Sequence, residues 1–600
     1  MPHPHRLAPV LLAIAAIATS PQAFAAGQVR DSSRQLTVNR PAATQSSAPA
    51  FKVSIPTVNA VGSNLSGDEI RAIATGQAPG KLAELATLNA TSIRIPEIRI
   101  EAQISTGDHT NGIVYLYKNL DLEGVKNGVA QSVTLEGMDS LSPPAVELKI
   151  GKTTASDFDL GGILSFYGLA GGNADGALTT LYRDAHVDGS TFSGPQFQCS
   201  TGAFDFGALK ARPLKVPFGE LLQIVGSPDF QKSTPSPEAV SKLVAFYVDL
   251  FSAFETSPMT INGAKCSGQN EGQQVSFGIG SIAVGGFANG RYPSVEVKDL
   301  AVGAQDGKVS VGDFTFKGFD LSGTIATVKA GLAAGALSSD WFEAHARELI
   351  PPFEGVSASK IAIDVPDEQH PGARVNATLA DFGLTLGDYT AGVPTNISTA
   401  AHHFVYAVPD AVAGKPDDLD GLRQLGLKSL DVGYELKLHR DATAKTIVID
   451  EAQVMGDKLG TITVGGVIGN AVDTLITGDM ETAAAAAMAL TLKSLQVNAV
   501  DDGAGDLFLA RVGAEQKMDL PTTRQRMSGV AEGVILAGLG GTPSAKALGD
   551  AVGKFVAGAK SIAIDMKAND PVGLSNADLD AAKTDPTAFA NKITIDATAK

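Results

Sequence analysis

Along much of this chain, apolar and polar residues alternate. The longest example is DVGYELKLHRDATAKTIVID, from Asp431 to Asp450. Val432, Tyr434, Leu436 and Leu438 fall on one face of a strand, with Gly433, Glu435, Lys437 and His439 on the other. Arg440 to Ala444 read as a turn, and Ile447 and Ile449 return on the apolar side, which predicts an antiparallel hairpin with one wet face. FKVSIPTV predicts a strand from Phe51. SIRIPEIRIEAQI, with Ile93, Ile95, Ile98 and Ile100 around Pro96, predicts a strand pair or one bulged strand.

Two phrases recur. Lys-[Asn/Asp/Ser]-Leu-x-[Leu/Val] occurs at Lys118, Lys298, Lys428 and Lys493. Asn127-Gly128, Asp306-Gly307 and Asp502-Gly503 follow three of the copies, and such dipeptides accept the positive φ of a tight turn. Each copy therefore reads as the first strand of a hairpin. The second phrase is IGKTTASDFDLGGIL from Ile150, echoed by VGDFTFKGFDLSGTI from Val311. In both, alternation breaks at a glycine, Gly151 or Gly312, as at a β-bulge. A Phe-Asp-Leu strand end and a small-residue helical stretch follow. The phrase reads as a strand, bulge, strand, helix corner, with Phe158 and Phe319 buried and Asp159 and Asp320 at helix starts. It is repeated because a half-buried hairpin covers its apolar face by stacking on a copy of itself.

Helix signals punctuate this pattern. Ser66 caps LSGDEIRAIATG, and a second short helix follows in APGKLAELATLN. Ser236 and Pro237 start a helix whose expected apolar stripe is Val240, Leu243, Val244, Tyr247, Phe251 and Phe254. Thr542 and Pro543 start another, with Leu548, Ala551, Val552, Phe555 and Val556 as its stripe. Residues 506–560 read as mostly helical, and Ser561 to Ala568 and Ile593 to Ala599 as closing strands. The expected fold is α+β: mainly antiparallel amphipathic β-hairpins in degenerate repeats forming an extended sheet, with helical insertions and a helix-rich C-terminal part. The expected division is a signal peptide at 1–25, a disordered leader at 26–50, a first β-repeat region at 51–290, a second at 291–425, and a C-terminal hairpin plus helical region at 426–600.

Composition sharpens the picture. The 600 residues are 44% hydrophobic and 18% charged, with 65 glycines, as suits a globular, turn-rich chain. A net charge of −17 without any basic cluster argues against nucleic acid and against general attraction to anionic headgroups. At the N-terminus, Arg6 precedes an apolar run from Leu7 to Ala18, and Ala23-Phe24-Ala25 supplies small residues for cleavage between Ala25 and Ala26. The run is shorter than the roughly 20 residues a spanning helix needs. With no cysteine directly after the cleavage site, the expectation is a soluble, exported protein, periplasmic or secreted, without lipid anchor or transmembrane segment. In that compartment the two cysteines, Cys199 and Cys266, are expected to form a disulfide, two buried thiols being the rival.

Catalytic strings are decoys on their spacing. His439-Arg440-Asp441 and Asp381-Phe382-Gly383 mimic kinase motifs in the wrong order. Gly151-Lys152-Thr153 lacks the first glycine of a phosphate loop, where Val146 stands. The stretch from Pro416 to Gly421 lacks calcium ligands at key positions. His345 and Glu348 have no third metal ligand, and His402 and His403 should point to opposite sides of a strand. Ser357 to Lys360 fits S-x-x-K without its partners. No catalytic residue, cofactor or metal site is therefore expected.

The signal peptide, the IPTV and IPEI opening, the corners and the KSLDV…TIVIDEAQV hairpin together resemble a type of uncharacterised exported protein of alphaproteobacteria with no assigned activity. More loosely, the serial amphipathic hairpins resemble the AsmA-like lipid-handling proteins of Gram-negative envelopes. The expected function is a non-catalytic envelope or secreted scaffold, with lipid or envelope components as partners and the oligomeric state open. The alternative is a periplasmic carrier that holds a lipid or other hydrophobic ligand on an apolar sheet face.

Overall fold

The computed structural model describes residues 50–600, apart from 107–108, 143–145, 169–170, 217–219, 222–235, 271, 289, 305, 336, 368–371 and 410–419. The expected signal peptide, almost all of the expected leader and most of the Pro416–Gly421 stretch lie outside the described residues.

An antiparallel sheet carries the architecture, and its pairing runs without a break past residues 290 and 425. Its long strands are β1 (Ala90–Thr106), β2 (His109–Val125), β3 (Val129–Ser142), β4 (Val295–Ala304), β5 (Gly307–Phe316), β6 (Gly355–Pro366) and β7 (Arg374–Thr390). They continue as β8 (Val393–Ala407), β9 (Ser429–Asp441), β10 (Thr446–Gly456), β11 (Gly460–Gly469), β12 (Thr491–Asp501), β13 (Ser561–Ala568) and β14 (Ile593–Ala599). The Pro96 segment is thus one strand, β1, with Ala50–Ser54 and Asn59–Val61 paired along it. From β4 onward each long strand pairs with the next.

Between β3 and β4 the sheet continues as five broken strands. Each is a pair of short segments in line, such as Val146–Ile150 with Thr153–Asp159, or Phe197–Thr201 with Phe204–Ala211. Every break carries a glycine: Gly151, Gly189, Gly202, Gly263 or Gly280. Neighbouring backbones meet closely along this seam. A Cβ on Gly202 would lie 1.7 Å from the Asn262 carbonyl oxygen, so no larger residue fits there without a shift.

The seam explains both repeated phrases. Beyond the broken strands it continues as positions where two consecutive residues face the polar side. Lys118-Asn119, Lys298-Asp299, Gly312-Asp313, Ser359-Lys360 and Lys493-Ser494 are such pairs, and Asn119, Asp299 and Lys360 have φ near +50°. Three of the four Lys-[Asn/Asp/Ser]-Leu copies are therefore seam sites. The fourth, at Lys428, only opens β9. Asn127-Gly128 and Asp306-Gly307 do turn hairpins, but Asp502-Gly503 opens a helix. Gly151-Lys152 and Gly312-Asp313 occupy equivalent seam positions, which is what the duplicated phrase preserves. Gly151 interrupts its strand, whereas Gly312 stays within β5 and faces Lys360.

Helices cover parts of the sheet. α1 (Gly67–Ala74) has the expected Ser66 cap, completed as a capping box by Glu69. The segment Pro79–Thr87 is a 3₁₀ helix. α1 helps cover a core of Ile70, Leu88, Ile93, Leu122 and Val125. α2 (Leu160–Phe166) starts at Asp159, whose carboxylate accepts the Gly162 N–H at 2.8 Å. α3 (Pro237–Leu250) is capped by Ser236, but its buried face is not the expected stripe. Phe246 is buried and Tyr247 is 47% exposed, because the helix turns Phe246 toward Leu214 and Ala253. α4 (Ser322–Ala333) follows Phe319-Asp320, and Asp320 accepts the Ser322 N–H at 2.8 Å.

The two corner phenylalanines are half-buried rather than buried. Phe158 packs at the edge of the first core, and Phe319 stacks on Tyr292 with ring centroids 4.7 Å apart. Phe319→Ala is accordingly expected to cost about 2 kcal/mol, below the value for a fully buried ring. Asp159→Ala is expected to cost about 1 kcal/mol through loss of its cap. Urea denaturation of each variant checks both values, and a Phe319→Ala protein that unfolds like the parent would refute the first.

The C-terminal part holds α5 (Ala504–Gln516), α6 (Leu520–Gly538) and α7 (Pro543–Ala557), the last capped by Thr542 as expected. β13 and β14 match the expected closing strands. Leu548 of α7 packs against a buried cluster that includes Ile593 and Ile595 of β14.

Candidate functional site: an apolar sheet face and its cavity

Pairing register gathers the apolar positions of successive strands into rows. One row can be followed partner by partner from Leu120 of β2 through Leu135, Thr153, Val187, Phe204, Ile261, Ile282, Val297 and Phe314. It continues through Ala358, Phe382, Ala401, Tyr434, Val454, Ile462, Ala499 and Ile562 to Ala599 of β14. Thr153 is its one polar member. Directly opposed side chains share a face, so one side of the sheet carries an apolar row from β2 to β14.

The other side is polar. Lys298, Asp313, Ser359, Asp381 and His402 follow one another across β4 to β8. His402 Nδ1 lies 2.6 Å from Asp381 and Nε2 lies 3.1 Å from Glu435, and these two carboxylates raise the imidazole above its ordinary range. Lys437 bridges Glu435 and Glu451 at 2.8 and 2.9 Å. His403 does not point away from His402 as expected. A bulge between Ala401 and Phe404 puts both histidines on the polar side, with His403 beside Asp431 at 3.2 Å.

At the C-terminal end, α5, α6 and α7 stand over the ends of β9 to β12 and enclose an open cavity of about 460 Å³. Its sheet side includes Val432, Val454, Ile462 and Ala499, members of the apolar face. Its helix side includes Phe508, Leu509, Met527, Ala531, Phe555 and Val556. The volume lies in the range of small-ligand sites. Val454 is 61% exposed, Ile462 54% and Phe508 63%, although all three line the cavity.

The cavity's charged residues are engaged with the protein itself. Asp501 accepts N–H bonds from Gly503 and Gly505 at 3.0 and 2.9 Å. Arg524 donates to Asp506 at 2.6 Å and to the Val556 carbonyl at 2.8 Å. The guanidinium holds the Asp506 carboxyl below its usual range. What remains open to a ligand is hydrocarbon surface.

Sequence reading found the strands of this site and missed the cavity. α5 carries Leu507, Phe508 and Leu509 in succession, so no single apolar stripe marks which side faces the sheet. Cys199 and Cys266 face each other in register across two strands, with Cα atoms 4.0 Å apart and sulfurs at disulfide distance. They lie on the apolar face, flanked by their partners Phe192 and Phe277. The cleavage residues Ala25 and Ala26 lie outside the described residues. His345 stacks on Trp341 at 4.4 Å. Among the described residues no group of three or more His, Cys, Asp or Glu is placed to hold a metal, and no helix is long and apolar enough to cross a membrane.

A search of curated proteins and a search of solved structures match nothing to this chain. A family model described as an uncharacterized protein matches residues 453–600, a span that holds every cavity-lining residue except Val432.

Proposed function

We propose that this protein is a non-catalytic, exported binder of hydrophobic ligands that presents its apolar sheet face to a lipid or similar molecule in the periplasm or outside the cell. The observation that carries this reading is the row of apolar partners from Leu120 to Ala599, with exposed members Tyr434, Val454 and Ile462 beside the cavity. Large apolar side chains left in contact with water gain roughly 25 cal/mol per Å² when a ligand covers them. An exposed contiguous apolar patch therefore favours occupation. The apolar run from Leu7 to Ala18 followed by Ala23-Phe24-Ala25 supports export. The scaffold reading draws on the unbroken strand pairing and remains the competing outcome of the test.

That test is native mass spectrometry, with lipid extraction, of protein purified from its own cell envelope. Co-purifying acyl lipid is the expected result. Protein that arrives empty and takes up no lipid from detergent-dispersed extract would favour the scaffold and refute the carrier.

A further inference from the structure

We propose that the cavity beneath α5, α6 and α7 takes the methyl end of a single acyl chain, whose head group stays outside. This deepens the preceding reading and rests on it. Three features lead to it. First, the cavity is open and its uncommitted surface is hydrocarbon, while Arg524 and Asp501 are engaged by Asp506, Val556 and backbone N–H groups. A buried carboxylate or phosphate would find no free partner there, and an unpaired buried charge is strongly disfavoured. An alkyl terminus needs none.

Second, the exposed apolar surface does not stop at the cavity. Ile462 pairs with Val454, and Val454 with Tyr434. One step along β9, Val432 pairs with Phe404, and both aromatic residues are exposed. From β11 to β8 this path crosses three strand spacings, roughly 14 Å. It fits a slender extended chain better than a compact apolar ligand, which the cavity alone would hold. Third, the chain carries a net charge of −17, which gives no general attraction for an anionic head group.

The probe is a saturated long-chain acyl dansyl amide, labelled at the polar end, titrated into the full mature protein. Saturable binding is expected. Free fatty acid, the matching fatty alcohol and a lysophospholipid of the same chain should displace it with affinities within about threefold of one another, because the head group is not read. The same chain labelled at its methyl end should bind at least about tenfold more weakly. Ala531→Trp fills the cavity from α6 and should weaken the probe about tenfold. Phe508→Ser, at an exposed position, should do so while the melting temperature stays unchanged, so it carries the test if Ala531→Trp fails to fold.

If the carboxylate outcompetes the alcohol by more than tenfold, a charged group is being recognised and the orientation is wrong. If the probe binds but Phe508→Ser leaves its affinity unchanged, the cavity is not the site, although the apolar face still binds ligand. If no acyl probe binds the parent protein, the carrier reading itself falls.

Discussion

Replacing Asp249 by leucine is expected to remove about 3–5 kcal/mol of stability, because it strands a buried guanidinium. Asp249 sits near the end of α3, where its Oδ1 accepts Arg212 Nη2 at 2.7 Å and its Oδ2 accepts the Lys215 backbone N–H at 2.7 Å. Both side chains are nearly buried, at 9% and 11% exposure. The single substitution therefore leaves Arg212 charged, desolvated and without its counter-ion, and orphans a backbone donor as well. Replacing Arg212 by methionine at the same time should recover much of the loss, because a buried ion pair is worth little more than a well-packed apolar pair. Urea midpoints of the single and double variants check this. The ion pair of Asp580 with Lys583 is fully solvent-exposed and serves as the control, with no measurable effect expected from Asp580→Asn. An Asp249→Leu protein with the parental midpoint would show that α3 does not pack as described.

The second large effect concerns the cysteines. With Cys199 and Cys266 bonded, Cys266→Ser should lower stability by about 4 kcal/mol, the chain-entropy value for a closed loop of this length. The separation is 67 residues, and the loop contains α3 and the Arg212–Asp249 pair. Opening it thus frees a long stretch of the unfolded chain that the bond would otherwise close into a loop. Mass mapping of unreduced protein is the direct check. A cross-linked peptide pair is expected, and two alkylatable thiols would refute the bond.

How much of this was legible beforehand depends on whether a feature is local. Ser66, Ser236 and Thr542 cap their helices as expected because a cap is decided within one turn of chain. The Val432 to Ile449 hairpin has the expected faces because the period-two alternation is written in consecutive residues. The duplicated phrase was legible as a corner with a bulge at Gly151 or Gly312, yet the alignment of such breaks into a seam across the sheet was not, since it depends on which strands lie opposite.

The features missed or misread all involve distant partners. His402 and His403 share a side only because β8 carries one residue more than β9 between Ala401 and Phe404. On α3 both Phe246 and Tyr247 are plausible inward residues, and the contact with Leu214 chooses Phe246. Asp249 reads as a solvated helix residue until Arg212, 37 positions earlier, is brought beside it. The apolar face illustrates the division most fully. The sequence by itself determined that each strand has one apolar side, through side-chain alternation along an extended backbone. Only the tertiary structure decided that these sides align from Leu120 to Ala599 and open into a cavity, because register is set by pairing between strands and a slip of one residue would turn a strand's apolar side to the opposite face.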